Sequence, residues 1–257
     1  MKKLMMTLMG AAILAGTAFA DDAKKEAPKP AEEKTLRMIT EATFPPYEYM
    51  KGKEIVGIDV EVCEAIAKKL GCKLVVEDSK FDAVIPSLKT GKADIAAAGI
   101  TVTEDRKKSV DFSVPYVTTG CVFVRTKGSA FNKGEDARGK KVGVQSGTTS
   151  DTYCVDTLKQ EPERFDSPAA AVAALKVGKV DVVLADVDPA KNCVRGEPTL
   201  EISDFVTSES YAVAVQKGNT KLLFAANKVI KDLKKSGKLD EIIRRCTAES
   251  DKLKESK

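Results

Sequence analysis

The 257-residue sequence contains no histidine and no tryptophan, and each absence removes a class of site. Without histidine, the chain cannot build a Ser-His-Asp or Cys-His catalytic arrangement or a zinc site with imidazole ligands. Aromatic residues make up only 5% of the chain, which leaves few surfaces for stacking nucleic-acid bases. The net charge of +4 is too small to indicate binding to a phosphate backbone. We therefore expect no nucleic-acid partner, no metal and no cofactor.

The N-terminus has the layout of a secretory signal peptide. Lys2 and Lys3 precede an apolar stretch over 4–19, and a small-x-small cleavage motif follows at 18–20. The stretch is short and interrupted by polar and glycine residues, which argues against a membrane anchor. We expect residues 1–20 to be removed on export to the periplasm or the cell exterior. The Ala-, Lys-, Glu- and Pro-rich segment 21–35 is then expected to be a flexible linker.

Six cysteines remain in the exported chain, an even number that favours disulfide bonds. They are Cys63, Cys72, Cys121, Cys154, Cys193 and Cys246. No two have Cys-x-x-Cys spacing, so neither a thioredoxin-like redox site nor a zinc ribbon is indicated. The sequence does not resolve the connectivity, and unpaired thiols stay open because free cysteine is a frequent core residue.

Apolar strands alternate with helices from residue 36 onward. Strands are predicted at 36–39, 73–76 and 94–98, with helices at 58–70 and 81–88 between them. This β-α-β-α-β order is typical of a parallel sheet covered by helices.

The same order recurs in the second half of the chain, with predicted strands at 141–144, 164–165 and 180–184 and helices near 150 and 168–175. The pattern L-x-x-G-K-x-D occurs in both halves, at 88–94 and 175–181. The sequence therefore predicts an α/β protein of two Rossmann-like lobes, with one larger sheet as the alternative.

Two further strand-like stretches, 121–125 and 211–216, are expected to cross between the lobes, because the tail after Asn219 has helical spacing and needs a sheet to pack on. Lobe 1 would then comprise 36–119 and 213–257, and lobe 2 would comprise 120–212. Two crossings form a hinge beside a ligand cleft. Such ligands collect at the carboxyl ends of the strands.

Six segments of the chain, in order and with matching spacing, carry a family resemblance. They are Thr43–Tyr47 (TFPPY), Gly57–Glu61 (GIDVE), 81–88, 99–106, Val110–Ser113 with Pro115-Tyr116, and Val144–Thr149 (VQSGTT). Together they are similar to the polar amino-acid-binding proteins of ABC importers, which are solute-binding proteins of family 3. The resemblance implies a type II periplasmic-binding-protein fold with two hinge strands and no enzymatic activity. It also implies a monomer that closes on a free L-amino acid and delivers it to a membrane permease.

The residue types at these positions suit the backbone of an amino acid. Arg106 offers a planar fork for a carboxylate, which lysine would not reproduce. Asp186, at the end of the last buried strand of lobe 2, is expected to take the ammonium, in preference to Asp181 and Asp188. The full predicted set of ligand-binding residues is Glu41, Phe44, Phe81, Ala98, Gly99, Thr101, Arg106, Gln145, Thr148, Thr149 and Asp186.

Three of these residues are expected to meet the side chain of the ligand. Phe44 and Phe81 resemble the aromatic pair that sandwiches it in the family. Glu41 occupies a position where relatives carry an acidic residue that faces a basic ligand. A carboxylate there fits arginine, lysine or ornithine through charge, or an amide through hydrogen bonds, and a small ligand stays open.

Two other functions are compatible with this fold. The same fold also carries dehydratases that act on prephenate or arogenate, with Glu41 or Asp186 as a conceivable acid or base. It also serves as a sensory ectodomain. A Cys63–Cys72 disulfide would join a helix to the next strand, as the resemblance implies. Cys154 and Cys193 lie near the starts of helices that follow neighbouring strands, so their pairing is plausible. No disulfide is expected between the lobes, since such a bridge would obstruct closure.

Overall fold

Two five-stranded sheets organise residues 34–255, the part of the chain that the computed structural model describes. In chain order the strands are β1 Thr35–Thr40, β2 Thr43–Phe44, β3 Glu48–Lys51, β4 Glu54–Val56, β5 Lys73–Asp78, β6 Ile95–Ala96, β7 Val110–Phe112, β8 Val117–Thr119, β9 Cys121–Thr126, β10 Val142–Gln145, β11 Glu163–Phe165, β12 Val182–Asp186, β13 Leu200–Phe205, β14 Glu209–Tyr211 and β15 Ala214–Gln216.

The helices cover both sheets. They are α1 Ile58–Leu70, α2 Phe81–Lys89, α3 Glu104–Lys107, α4 Thr149–Tyr153, α5 Pro168–Lys176, α6 Val187–Val194, α7 Thr220–Lys235 and α8 Lys238–Glu255. A π-helical turn, Cys154–Leu158, continues α4, and a 3-10 turn spans Gly134–Ala137. None of the helices within 34–255 combines the length and the apolar character needed to cross a bilayer.

The first sheet has the strand order β5-β1-β6-β15-β7. Strand β1 runs parallel to β5 and β6, whereas β15 is antiparallel to β6 and β7. Successive side chains of a strand point to opposite faces. Met38 and Ile39 of β1 are both fully buried and belong to different apolar clusters, so packed elements cover both faces.

The second sheet has the order β11-β10-β12-β9-β13 and repeats this plan. Strand β10 is parallel to β11 and β12, and β9 is antiparallel to β12 and β13. Val182 and Val183 lie in the clusters on its two faces. The prediction of two α/β lobes is therefore confirmed over the alternative of one larger sheet. The residue bounds of the lobes stay a prediction.

The chain passes between the sheets through β8 and β14, which pair antiparallel as a two-stranded ribbon, here called the connecting ribbon. The prediction that 121–125 is a crossing strand is wrong, because β9 lies inside the second sheet. Of the predicted stretch 211–216, only Tyr211 belongs to the ribbon, and β15 pairs within the first sheet. Apolar residues suit a sheet interior, and the ribbon itself is more polar.

Helix boundaries follow the capping residues of the sequence. α1 begins after Gly57 and ends at Gly71, which adopts a left-handed conformation with φ 65°. The Ser167 side chain accepts from the backbone N–H of Ala170 and caps α5. The Asn219 side chain caps α7 in the same way, at the start of the helical tail that the sequence predicts.

All six cysteines are unpaired thiols, so the expected disulfides do not form and both proposed pairings are wrong. Cys154 packs in the cluster on one face of the second sheet, and Cys193 packs against the cluster on the other face. Cys63 points into the core of the first lobe, while Cys72 is half-buried with its Sγ 3.7 Å from the carbonyl of Leu70. Pairing requires closely placed, facing side chains, which these positions do not provide.

The predicted signal peptide, 1–20, lies outside the described residues. So does the predicted linker up to residue 33, whereas Thr35 is already the first residue of β1 and pairs with Lys73.

Candidate functional site

A small cavity of about 10 Å³ lies between the two sheets. Its lining residues lie at or soon after the carboxyl ends of strands in both sheets, where ligands of open α/β sheets bind. They are Phe44, Phe81, Gly99, Thr101, Arg106, Gln145, Thr148, Thr149 and Asp186. All nine belong to the predicted set. Of the other two, Ala98 is buried next to Gly99, and Glu41 is buried behind the cavity wall.

Arg106 reaches across the cavity from α3. The side chain of Thr103 caps this helix by accepting from the Arg106 backbone N–H at 3.1 Å. The guanidinium donates to the carbonyl of Thr101 at 2.8 Å and to the carbonyl of Gly147, beyond β10, at 3.1 Å. It also lies 5.4 Å from the centroid of the Phe81 ring, within cation–π range. Burial lowers its pKa, while the nearby carboxylates of Glu209 and Asp186 oppose that change.

Asp186 ends β12 and faces the same cavity from the second sheet. It accepts a hydrogen bond from the Tyr211 hydroxyl at 2.6 Å. Burial, and then the negative charge of Glu209, raise the pKa of Asp186 to about 7, against the hydrogen bond from Tyr211 and the charge of Arg106. The two other candidates for binding the ammonium, Asp181 and Asp188, contact different groups. Asp181 accepts from the Lys141 backbone at 2.8 Å, before β12, and Asp188 accepts from the Tyr47 hydroxyl at 2.7 Å.

The predicted donors on the first sheet are engaged with protein groups. The backbone N–H of Gly99 donates to Asp59 Oδ2 at 2.9 Å. The hydroxyl of Thr101 donates to Glu209. Gly99 has φ 54°, and an added Cβ would lie 2.7 Å from the Phe44 ring, so glycine is required for Phe44 to pack here. Arg106 is therefore the charged group of this half of the site that can turn to a carboxylate.

The second sheet contributes the turn before α4. The Thr148 side chain caps α4 by accepting from the Asp151 backbone, and its hydroxyl donates to the carbonyl of Gln145 at 2.8 Å. Gly147 has φ 74°, and an added Cβ would lie 3.2 Å from Asp82, so the turn packs closely against the start of α2. These contacts hold Thr148 and Thr149 at the cavity wall.

Glu41 lies next to Gln145, which lines the cavity, and each side chain has one polar atom without a partner. Glu41 Oε1 accepts from the hydroxyl of Thr43, and Gln145 Nε2 donates to the carbonyl of Asp166 at 3.1 Å. Glu41 Oε2 and Gln145 Oε1 are buried and have no hydrogen-bond partner among the described residues. Burial raises the pKa of Glu41, and the Thr43 hydroxyl and the nearby Gln145 amide oppose that rise.

Phe44 and Phe81 line the cavity from the first lobe. Phe44 packs against Tyr47 and Tyr211, with ring centroids 5.8 and 6.4 Å away. Phe81 opens α2 below the guanidinium of Arg106. Both rings are therefore positioned to contact an apolar stem that enters the cavity.

Sequence reasoning missed Tyr211, Asp59 and Glu209 as neighbours of this site. Asp59 lies in the GIDVE segment that carries part of the family resemblance, and no other feature of the sequence marks it as a neighbour of the site. Glu209 lies in a polar stretch without periodicity. Within the described residues, one cluster has the ligand types of a metal site: Cys121, Asp186 and Glu209, all buried. Hydrogen bonds from Ser150, Thr101 and Tyr211 serve these groups instead.

Comparisons with known proteins agree with this fold. Residues 36–248 match the family model of bacterial extracellular solute-binding proteins, family 3. The chain is 32% identical to a putative ABC transporter arginine-binding protein 2 of Escherichia coli, over 94% of this chain and 97% of that one. It is 31% identical to a probable histidine-binding protein of Campylobacter jejuni, over 82% and 84% of the two chains.

A solved structure of an ancestral arginine-binding protein bound to arginine shares 40% identity with the chain, covers 83% of it and 98% of the ancestral chain, and has a TM-score of 0.77. Two sheets, a cavity between them and a family match over most of the described residues therefore lead to one conclusion. The chain belongs to family 3 of the bacterial extracellular solute-binding proteins.

Proposed function

We propose that the protein captures a free amino acid with a basic side chain, arginine foremost, and delivers it to the permease of an ABC transporter. One observation carries the choice of ligand. Glu41 Oε2 and Gln145 Oε1 are two buried acceptors that lack a donor. A buried acceptor without a partner costs free energy, which a ligand side chain rich in N–H groups would recover.

A guanidinium suits this end of the site better than the other side chains considered. It carries five N–H donors in a planar fork and no acceptor, so it can serve both oxygens without leaving a new acceptor unpaired. Its charge also favours the ionised form of Glu41, whose pKa burial raises. Phe44 and Phe81 offer ring faces to the stem and to the planar group. The ammonium of lysine brings charge and three donors on a single atom, whereas an amide brings two donors, no charge and an acceptor of its own.

The backbone of the ligand would bridge the sheets. Arg106 would release a carbonyl partner and bind the carboxylate in a bidentate manner, and Asp186 would accept the ammonium. These groups approach from different sheets, so their full effect on affinity requires that the lobes close together. Contacts already link the two sides: Lys80 with Asp166 at 3.0 Å, and Arg106 with the Gly147 carbonyl.

Membership of the family supports the proposed delivery and location. The proposal includes a periplasmic or secreted monomer, a membrane permease as the partner, and binding without a catalytic step. The E. coli relative is named as an arginine-binding protein, and the ancestral relative holds arginine in its solved structure. Both support the same ligand class.

Isothermal titration calorimetry on the chain without its first 20 residues tests the proposal. The panel comprises arginine, lysine, ornithine, glutamine, histidine and cystine. Arginine is expected to bind most tightly. At a free concentration of about 100 times its dissociation constant, it should add about 2.7 kcal/mol to the free energy of unfolding. Tighter binding of an uncharged amino acid would overturn the assignment of ligand class. Conversion of prephenate or arogenate to an aromatic product would overturn the assignment of a binding role.

A further inference from the structure

Glu209 is a buried carboxylate at the start of β14, in the connecting ribbon, and it contacts strands on both sides. Only 6% of the residue is exposed, although its neighbours in sequence are polar. Its Oε2 accepts from the hydroxyl of Thr101, which lines the cavity after β6 in the first sheet. Its Oε1 lies 3.3 Å from Cys121 Sγ, on β9 of the second sheet. Glu209 thus ties the cavity wall of one lobe to a strand of the other.

The same carboxylate stands beside Asp186. The side-chain ligand atoms of Cys121, Asp186 and Glu209 all lie within 4.8 Å of one another. The other groups around Asp186 are the guanidinium of Arg106, which is attractive, and the hydroxyl of Tyr211, which donates to it.

A fifth neighbour, the Tyr47 phenol, interacts with the charge of Asp186 from the loop after β2. Burial holds the pKa of the Tyr47 phenol, and those of the Tyr211 phenol and the Cys121 thiol, above their ordinary values. These three groups therefore stay protonated near neutral pH.

The charges at this end of the cavity are unequal. Two carboxylates, Asp186 and Glu209, face one guanidinium, that of Arg106. In a zwitterionic ligand the carboxylate would occupy Arg106, which leaves the ammonium as the cation available to both carboxylates. Like charges this close cannot both ionise without a compensating cation in a buried site.

We propose that Glu209 is a positioning residue for the ammonium of the ligand: it fixes Thr101 from the connecting ribbon and, with Asp186, presents two buried carboxylates to one cation. The proposal rests on the proposed function, because it requires that the ligand be an amino acid. It extends that function by assigning a residue that does not line the cavity.

A pH dependence follows, and the raised pKa of Asp186 fixes its sign. As the pH falls through this pKa the carboxyl takes up a proton, which it must lose before it can pair with an ammonium. Affinity therefore falls as the pH decreases through this range, by up to about tenfold per pH unit. Glu209 contributes to this behaviour because its charge raises the pKa of Asp186. Without that charge the fall in affinity moves to lower pH.

The test measures the Kd for L-arginine by calorimetry from about pH 5.5 to about pH 8, a window in which the guanidinium of the ligand stays charged. The variants are Glu209→Gln, which removes the charge, and Glu209→Asp, which keeps it. Glu163→Gln, an exposed acid on β11, is the matched control. Glu209→Gln is expected to move the midpoint of the pH profile down by about one unit, whereas Glu209→Asp and the control keep it near the wild-type position.

The proposal is overturned if the Glu209→Gln profile has the wild-type midpoint and differs only by a constant factor in Kd, because that result indicates a purely structural role. If Glu209→Gln does not fold, a midpoint for Glu209→Asp more than about one unit from wild type overturns it equally. If the wild type binds arginine and either of these results is obtained, only the inference about Glu209 is refuted. A wild-type protein that binds no amino acid refutes the proposed function as well.

Discussion

The two ends of the cavity satisfy their polar groups in different ways. At the end expected to hold the ligand backbone, Arg106, Thr101 and Asp186 all have hydrogen-bond partners in the ligand-free chain. At the side-chain end, Glu41 and Gln145 each keep one buried acceptor without a partner. Thr101 and Asp186 at the first end are buried, as are Glu41 and Gln145 at the second, so burial alone does not explain the contrast.

This difference assigns separate tasks to the two ends. The backbone end is preorganised, because its charged groups are already held in place and a ligand exchanges one set of contacts for another. The side-chain end favours only a ligand that brings donors, since any other ligand leaves the acceptors unpaired. On the proposed function, we expect affinity for amino acids in general to arise at Arg106 and Asp186, and selectivity to arise at Glu41 and Gln145.

The largest expected effect is at the backbone end. Replacing Arg106 by alanine removes the cation that pairs with the ligand carboxylate and leaves that carboxylate desolvated. We expect a loss of about 2–5 kcal/mol in binding free energy for every ligand that the wild type binds, or about 30-fold to several thousand-fold in Kd. Calorimetry with arginine and with the next-best ligand measures it.

Lys107→Ala is the matched control, because it removes a positive charge from the same helix. The Lys107 ammonium is paired with Glu104 at 2.7 Å. That variant should bind as the wild type does. A loss in Arg106→Ala confined to arginine, with the other ligands unaffected, would mean that the two ends do not divide the work as described.

A smaller and selective effect is expected at the other end. Glu41→Gln keeps the size of the side chain but removes its charge, so the guanidinium loses a charge-assisted partner. We expect arginine binding to weaken by about 1–3 kcal/mol, with little change for glutamine, so that the preference between the two ligands narrows. The ratio of their Kd values is the measurement, and Glu54→Gln on the exposed β4 strand is the control. Equal losses for both ligands would assign Glu41 to the backbone end.

The sequence was informative where local chemistry decides the structure. The helix starts at Gly57, Ser167 and Asn219, and the repeated strand-helix order, required only capping and periodicity. Eight of the nine residues that line the cavity lie in the segments that carry the family resemblance, since no local pattern joins Phe44 to Thr148. Asp186 was predicted from its place at the end of a buried strand. What the structure adds depends on distant contacts. Glu209 and Thr101 are 108 positions apart in the chain, and no periodicity signals that they meet.

The cysteines show why a general rule was not sufficient. An even number in an exported chain favours disulfides, but Cys154 and Cys193 lie in clusters on opposite faces of one sheet. Similarly, the apolar stretch at 121–125 was assigned to a crossing strand, although its composition fits the interior of a sheet equally well. Pairing and topology are properties of the packed chain, and only the assembled sheets decided between the alternatives.

The smallest expected effect concerns the contact at the rim. Lys80 and Asp166 approach from opposite sides of the cavity at 3.0 Å, and both side chains are largely exposed, by 66% and 72%. Solvent screens such a pair, and ordering two exposed side chains offsets much of the attraction. Asp166→Asn should therefore weaken arginine binding by no more than about two-fold to five-fold, and the difference should vanish in high salt.

Glu104→Gln, which breaks the equally exposed pair with Lys107 inside one lobe, is the control and should leave Kd unchanged. A loss of a hundredfold in Asp166→Asn, or one that persists in high salt, would mean that closure depends on the rim. Part of the affinity now assigned to Arg106 and Asp186 would then arise from this ion pair. The backbone carbonyl of Asp166 also holds the amide of Gln145 in the cavity wall.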